Sequence, residues 1–174
     1  MSEQVFIGIG TNLGDREKNC VSALRRVESF AKIIRVSALF KTEPVGVEGE
    51  QPFFINAVAL VENCPPPEQL MWKLQDVEKE IGRTEKGNNK PRVMDLDILL
   101  YGDTVIDSGK LKIPHVSLCS RRFILEPLCQ IAPDVRHPVS GKTAREILKV
   151  LDDKSGVEMW KTVFFPQRNV ENSV

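Results

Sequence analysis

The sequence has only two histidines, and among its four cysteines, Cys20, Cys64, Cys119 and Cys129, there is no CxxC pair. Without closely spaced thiols or imidazoles, neither a zinc site nor a compact disulfide framework is indicated, and small half-buried thiols in a reducing compartment are expected. Net charge is missing too: 24 Lys and Arg stand against 24 Asp and Glu. No overall field draws such a chain to nucleic acid or to an anionic membrane, so any anion site has to be local. The first residues lack a basic start and a long apolar stretch, and no apolar run is long enough to span a bilayer; a cytoplasmic protein without membrane contact is expected. Apart from Pro65-Pro66-Pro67 there is no low-complexity tract, and no internal repeat. What is present is ordinary for a globular protein: 174 residues, 41% of them hydrophobic, enough for one core and too few for two. One domain over residues 1–166 and a flexible tail over 167–174 are expected, acting as a monomer.

Periodicity orders the elements. Val5, Ile7 and Ile9 alternate with Phe6, Gly8 and Gly10 as in a strand, and Thr11-Asn12-Leu13-Gly14-Asp15 supplies turn and capping residues before a helix bearing Cys20, Leu24, Val27 and Ala31. Ile34, Val36, Ala38 and Phe40 alternate next, and a β-rich run covers 53–61. The three prolines open a helix striped by Leu70, Leu74, Val77 and Ile81, with Gly82 as its C-terminal cap, and a strand follows over 93–101. The order β-α-β-β-α-β predicts an α+β, ferredoxin-like sandwich with both helices on one face of the sheet. Helices over 122–131 and 143–151 are C-terminal additions.

Two glycine motifs are poor matches to nucleotide sites. Gly8-Ile9-Gly10 would need its third glycine at Leu13, and the topology is not a run of parallel βαβ units. Gly141-Lys142-Thr143 has Arg136 where the first glycine of a P-loop belongs, so it reads as a helix start capped by Ser140 or Thr143. More telling are Asp95 and Asp97, two apart in an apolar strand and so on one face, with Met94, Leu96, Ile98 and Leu100 on the other. Two carboxylates repel unless a hard cation sits between them, and Mg²⁺ accepts carboxylates together with substrate phosphates. Alone, such a pair better suits a solvated strand end. Basic residues bracket it, however: Arg83, Lys86, Lys90 and Arg92 before, Lys110, Lys112, His115, Arg121 and Arg122 after. A metal-bound triphosphate wants both signs. By strand parity Phe54 and Asn56 share a face, suited to a planar hydrogen-bonding heterocycle or, as plainly, to a core ring beside a satisfied amide.

These stretches, with Ile9-Gly10-Thr11-Asn12-Leu13-Gly14, Thr42-Glu43-Pro44-Val45-Gly46, Gln51-Pro52-Phe53-Phe54-Ile55-Asn56, Ile81-Gly82-Arg83, Pro91-Arg92-Val93-Met94-Asp95-Leu96-Asp97-Ile98-Leu99, Ile113-Pro114-His115 and Arg121-Arg122-Phe123, resemble the 6-hydroxymethyl-7,8-dihydropterin pyrophosphokinases over roughly the first 140 residues. The resemblance implies transfer of pyrophosphate from ATP to the hydroxymethyl group of the reduced pterin, giving AMP, in folate biosynthesis. It implies Asp95 and Asp97 as ligands of two Mg²⁺ ions, and Arg83 and Arg92 beside them in catalysis. Arg83, Lys86, Arg92, Ile98, Lys110, Lys112, His115 and Arg121 would contact ATP, with Ile98 at the adenine and His115 a hydrogen-bond donor. Thr42, Pro44, Val45, Gly46, Phe54, Asn56, Asp95 and Phe123 would hold the pterin, with Phe54 and Phe123 sandwiching its ring. The chain departs from the family in having Glu43 before Pro44, Phe where Tyr is common at 54, and Val116 for an aromatic. Residues 84–90 also lack the family's extra arginine and tryptophan. Rival expectations are a metal-dependent nucleotidyl transferase or cyclase, an RRM-type RNA-binding module, whose phosphates Asp95 and Asp97 would repel, and a ligand-binding relative without catalysis.

Overall fold

The computed structural model describes residues 3–44, 49–82 and 91–163. Strand β1 (Val5–Thr11) leads to helix α1 (Arg16–Val27), whose N-terminus is capped by the Asp15 carboxylate accepting from Lys18 N at 3.1 Å. Then follow β2 (Lys32–Val36), β3 (Leu39–Thr42) and β4 (Phe54–Glu62). Helix α2 (Pro67–Ile81) starts with Pro67 in its first turn, where the missing N–H costs nothing, and ends at Gly82, whose φ of 114° only glycine adopts easily. Strand β5 (Asp95–Tyr101), a small hairpin β6 (Ile106–Asp107) and β7 (Lys112–Ile113), helices α3 (Arg122–Ile131) and α4 (Ala144–Val150), and strand β8 (Val157–Lys161) complete the fold.

The main sheet runs β5-β1-β4-β3-β8, with β2 also on β4, and every pairing in it is antiparallel. Its alternation sorts two cores. Val5, Ile7, Ile9, Ala57, Ala59, Val61, Leu96 and Ile98 point towards α1 and α2, where they meet Leu24, Leu70 and Leu74. Phe6, Val58, Leu60, Leu99 and Leu100 point the other way, against Ile124, Leu125, Leu128 and Ile147 of α3 and α4. Each such buried Val, Leu, Ile or Phe side chain contributes about 1.5–3 kcal/mol.

The structure corrects the sequence-based expectations in four places. The predicted strand 34–40 is two strands. Between them Ser37 Oγ accepts from Val58 N at 2.9 Å, and Gln130 Oε1 accepts from Ala38 N at 2.6 Å, so side chains satisfy what the ladder drops. Leu100 does not share a face with Leu96 and Ile98. The register with β1 slips between Phe6 and Ile7, so Leu99 and Leu100 both face α3. The hairpin β6–β7 and the edge strand β8 were not anticipated. At α4, Thr143 completes a capping box with Glu146, as expected of a helix start rather than a phosphate loop. The tail over 167–174 lies outside the described residues. All four cysteines are free, and burial, with a smaller contribution from Glu17, pushes the Cys20 thiol up to about 12.

Candidate active site

The site begins with two missing side chains. Strand β1 lies between β5 and β4, and on the face turned to α3 it carries Gly8 and Gly10. Gly10 stands opposite Asp95 on one side and Asn56 on the other; Gly8 stands between Asp97 and Val58. A Cβ at Gly10 would come 3.0 Å from Asn56 Oδ1, and one at Gly8 would come 3.1 Å from the Leu99 side chain. The glycines that imitate a dinucleotide fingerprint therefore form the floor of a trough. It opens into a cavity of about 890 Å³ with the acidic pair on one bank and the aromatic and amide pair on the other.

On the acidic bank, Asp95 is not the lone repelling carboxylate expected from sequence: Arg92 Nη1 donates to its Oδ2 at 2.6 Å, with both side chains about a quarter exposed. Arg92 is held through its backbone. Its N–H donates to Asn12 Oδ1 at 2.7 Å, and its carbonyl accepts from Asn12 N at 3.1 Å. Asp97 is 46% exposed, with His115 Nε2 at 3.9 Å from its Oδ2, too far for a hydrogen bond. His115 Nδ1 accepts from Ser117 N at 3.2 Å, which leaves the proton of a neutral ring on Nε2, facing the acids. Burial lowers the His115 pKa below its ordinary 6.5, against the opposing pull of Asp95, so the ring is a neutral donor at pH 7.

On the other bank Asn56 Nδ2 donates to Thr42 Oγ1 at 2.7 Å, both side chains buried. Phe54, half-buried, faces the same cavity, and Phe123 reaches it from the first turn of α3, with the Arg121 guanidinium 5.1 Å from its ring centroid. The cavity also curls round β5, the sheet's outermost strand, to Ile98, Lys110 and Lys112. Lys112 Nζ meets Asp107 at 3.1 Å on the surface. Of the residues singled out from sequence, Thr42, Phe54, Asn56, Arg92, Asp95, Asp97, Ile98, Lys110, Lys112, His115, Arg121 and Phe123 thus share one cavity, while Pro44 stands outside its lining. Val45, Gly46, Arg83 and Lys86 lie outside the described residues.

Sequence reasoning passed over Glu78, which lines the cavity and is only 3% exposed. It accepts the backbone N–H of Leu96, the residue between the two aspartates, at 2.7 Å on an edge that has no neighbouring strand among the described residues. The signal was an acidic residue four after Leu74, on the apolar stripe of α2. Glu78→Ala leaves that N–H buried without an acceptor, and a loss of about 1–3 kcal/mol in urea unfolding is expected. Glu78→Gln, which keeps an acceptor, should retain most of it.

Comparison with known proteins places these observations. The family model described as 7,8-dihydro-6-hydroxymethylpterin-pyrophosphokinase matches residues 6–133. The chain is 39% identical over 142 residues to the 2-amino-4-hydroxy-6-hydroxymethyldihydropteridine pyrophosphokinase of Aquifex aeolicus, covering 82% of this chain and 88% of that protein. It is 40% identical over 141 residues to the folic acid synthesis protein fol1 of Pneumocystis carinii, covering 80% of this chain but only 19% of that much longer one. Among solved structures, wild-type Plasmodium falciparum HPPK-DHPS superposes with a TM-score of 0.66 at 18% identity, covering 86% of this chain and 44% of that one; it is alike in fold.

Proposed function

Because the chain belongs to the 7,8-dihydro-6-hydroxymethylpterin-pyrophosphokinase family, we infer that it transfers the β,γ-pyrophosphoryl group of ATP to 6-hydroxymethyl-7,8-dihydropterin in folate biosynthesis. The products are the pterin diphosphate and AMP. One observation carries this: an acidic pair, cationic side chains and an aromatic-amide pair line the same cavity, one bank suited to phosphate and the other to a flat heterocycle.

The pterin hydroxymethyl oxygen attacks the β-phosphorus in line as the bond to the α-phosphate oxygen breaks; the hydroxyl proton is lost and AMP leaves. No covalent enzyme intermediate is needed, and the chain's task is positioning and charge neutralisation. Phe54 and Phe123 sandwich the pterin. Thr42, Asn56 and the backbone over 42–46, with Pro44, Val45 and Gly46, read its edge, and Asp95 lies near its reacting arm. Arg92, Arg121, Lys110 and Lys112 serve the phosphates, and the same role is assigned to Arg83 and Lys86 on the family resemblance. His115 donates from Nε2 to the nucleotide, and Ile98 lines the adenine. Two Mg²⁺ ions would be held by Asp95 and Asp97. Both carboxylates look onto the cavity, and no group of three acidic, His or Cys side chains forms a protein-only cage among the described residues, which suits a cation that completes its shell with phosphate oxygens. When bound, Mg²⁺ supplies neutralisation of the phosphate oxygens.

The antiparallel order and the helices α1 and α2 on one face support the ferredoxin-like arrangement expected from sequence. A single domain over 1–166, acting as a cytoplasmic monomer without nucleic-acid or membrane partners, completes the proposal. Incubation with ATP, Mg²⁺ and the hydroxymethyl-dihydropterin should yield AMP and pterin diphosphate in equal amounts, resolved by anion-exchange chromatography. Release of pyrophosphate instead would point to the nucleotidyl transferase or cyclase chemistry.

A further inference from the structure

The segment after α4 lies beyond the residues matched by the family model, yet it touches two separate elements that line the cavity, the start of α3 and the end of β3. Helix α3, whose first turn bears Phe123, has Arg121 at its N-cap position, and Arg121 provides no side-chain cap. The cap comes from 31 residues downstream: Asp153 Oδ2 accepts from Arg122 N at 2.8 Å, and its other oxygen accepts from Ser155 N at 2.9 Å. A carboxylate there satisfies an orphan helix donor and meets the positive end of the helix. Three residues later the same segment grips the other element. Gly156 O accepts from Glu43 N at 3.2 Å, Gly156 N donates to Glu43 Oε2 at 3.2 Å, and β8 then pairs with β3, placing Val157 opposite Thr42. The fit at Gly156 is close, since a Cβ there would stand 2.9 Å from the Glu43 carboxyl carbon.

We propose that residues 153–157 act as a clasp that sets the separation of the Phe123 wall from the Thr42 wall, with Asp153 and Gly156 as positioning residues for the pterin. This rests on the assignment of that half of the cavity to the pterin. The physical reason is reach: so short a segment, bonded at both ends, allows little relative motion of the two walls, and a sandwiched ring can keep contact on only one face if they part. Neither Asp153 nor Gly156 lines the cavity, though Glu43, which Gly156 holds, does, so it is Asp153 that acts on the ligand only through the elements the clasp ties.

The test is equilibrium binding by calorimetry, with the full chain, of 6-hydroxymethylpterin and, separately, of Mg²⁺ with α,β-methylene-ATP. Asp153→Ala should weaken pterin binding by about five- to tenfold and nucleotide binding by a clearly smaller factor, felt through Arg121 at the same helix end. Asp153→Asn, which keeps an oxygen to accept from Arg122 N, should restore most of the loss. Gly156→Ala, which displaces only the flexible end of Glu43, should weaken pterin binding by a smaller factor; should Asp153→Ala fail to fold, this variant decides. Phe123→Ala serves as the reference. If Phe123→Ala weakens pterin binding while the Asp153 and Gly156 variants match wild type, or if Asp153→Ala weakens both ligands equally, the clasp is refuted and the cavity assignment stands. If Phe123→Ala also binds pterin normally, the cavity assignment fails and takes the clasp with it.

Discussion

Asp97→Ala is expected to lower turnover by about 10²–10³-fold, the cost of several kcal/mol of phosphate-charge neutralisation, while the fold is left nearly untouched. The Asp97 side chain is almost half exposed, and contacts made by so exposed a carboxylate are weak, so its removal should cost little stability. Single-turnover kinetics with saturating ATP and pterin, run beside thermal unfolding, separates the two quantities. Asp95→Ala should behave differently. It too loses turnover, but it also strands the Arg92 guanidinium, bonded to Asp95 at 2.6 Å, and should cost on the order of 1 kcal/mol of stability. Full turnover in Asp97→Ala would exclude it as a metal ligand.

Phe123→Ala is expected to weaken pterin binding by about 10–100-fold, since stacking of a flat ring on an aromatic side chain is worth roughly 1–3 kcal/mol. The affinity for ATP should hardly move. Phe123 is only half-buried, and α3 is anchored without it by Ile124, Leu125, Leu128 and Ile131, so the helix should survive the truncation. Fluorescence titration of each ligand separately is the measurement. Equal weakening of both ligands, or loss of the helical signal, would make Phe123 a core residue.

Much of this was legible in the sequence because it follows from local rules. The caps at Asp15, Gly82 and Thr143 need only a short window of sequence, and strand parity alone turned Asp95 and Asp97, and likewise Phe54 and Asn56, to one side. What parity could not give was the slip at Leu99, because a bulge is a property of two strands and the sequence displays them one at a time. Strand β8 escaped notice for a different reason. Val157, Glu158, Met159, Trp160 and Lys161 are mostly exposed, so no buried stripe marks them, and pairing with β3 is what makes them a strand. The contact of Arg92 with Asp95 was hidden by the assumption that a bracket of basic residues looks only outward to a ligand. Residues 83–90, where the departure from the family is largest, lie outside the described residues.

The glycine floor has a consequence for which alcohols can react. Asp95 and Asn56 face each other across Gly10, so one strand lies between them and their separation is two inter-strand spacings, roughly 9.5 Å. Backbone hydrogen bonds set that length, and no rotamer can stretch it. A pterin whose edge is held by Asn56 can deliver a hydroxyl to the acidic bank only if its arm spans what the ring leaves over. On the proposed assignment the sheet is a ruler: an analogue whose arm is longer by one methylene is expected to turn over more slowly while its ring still binds.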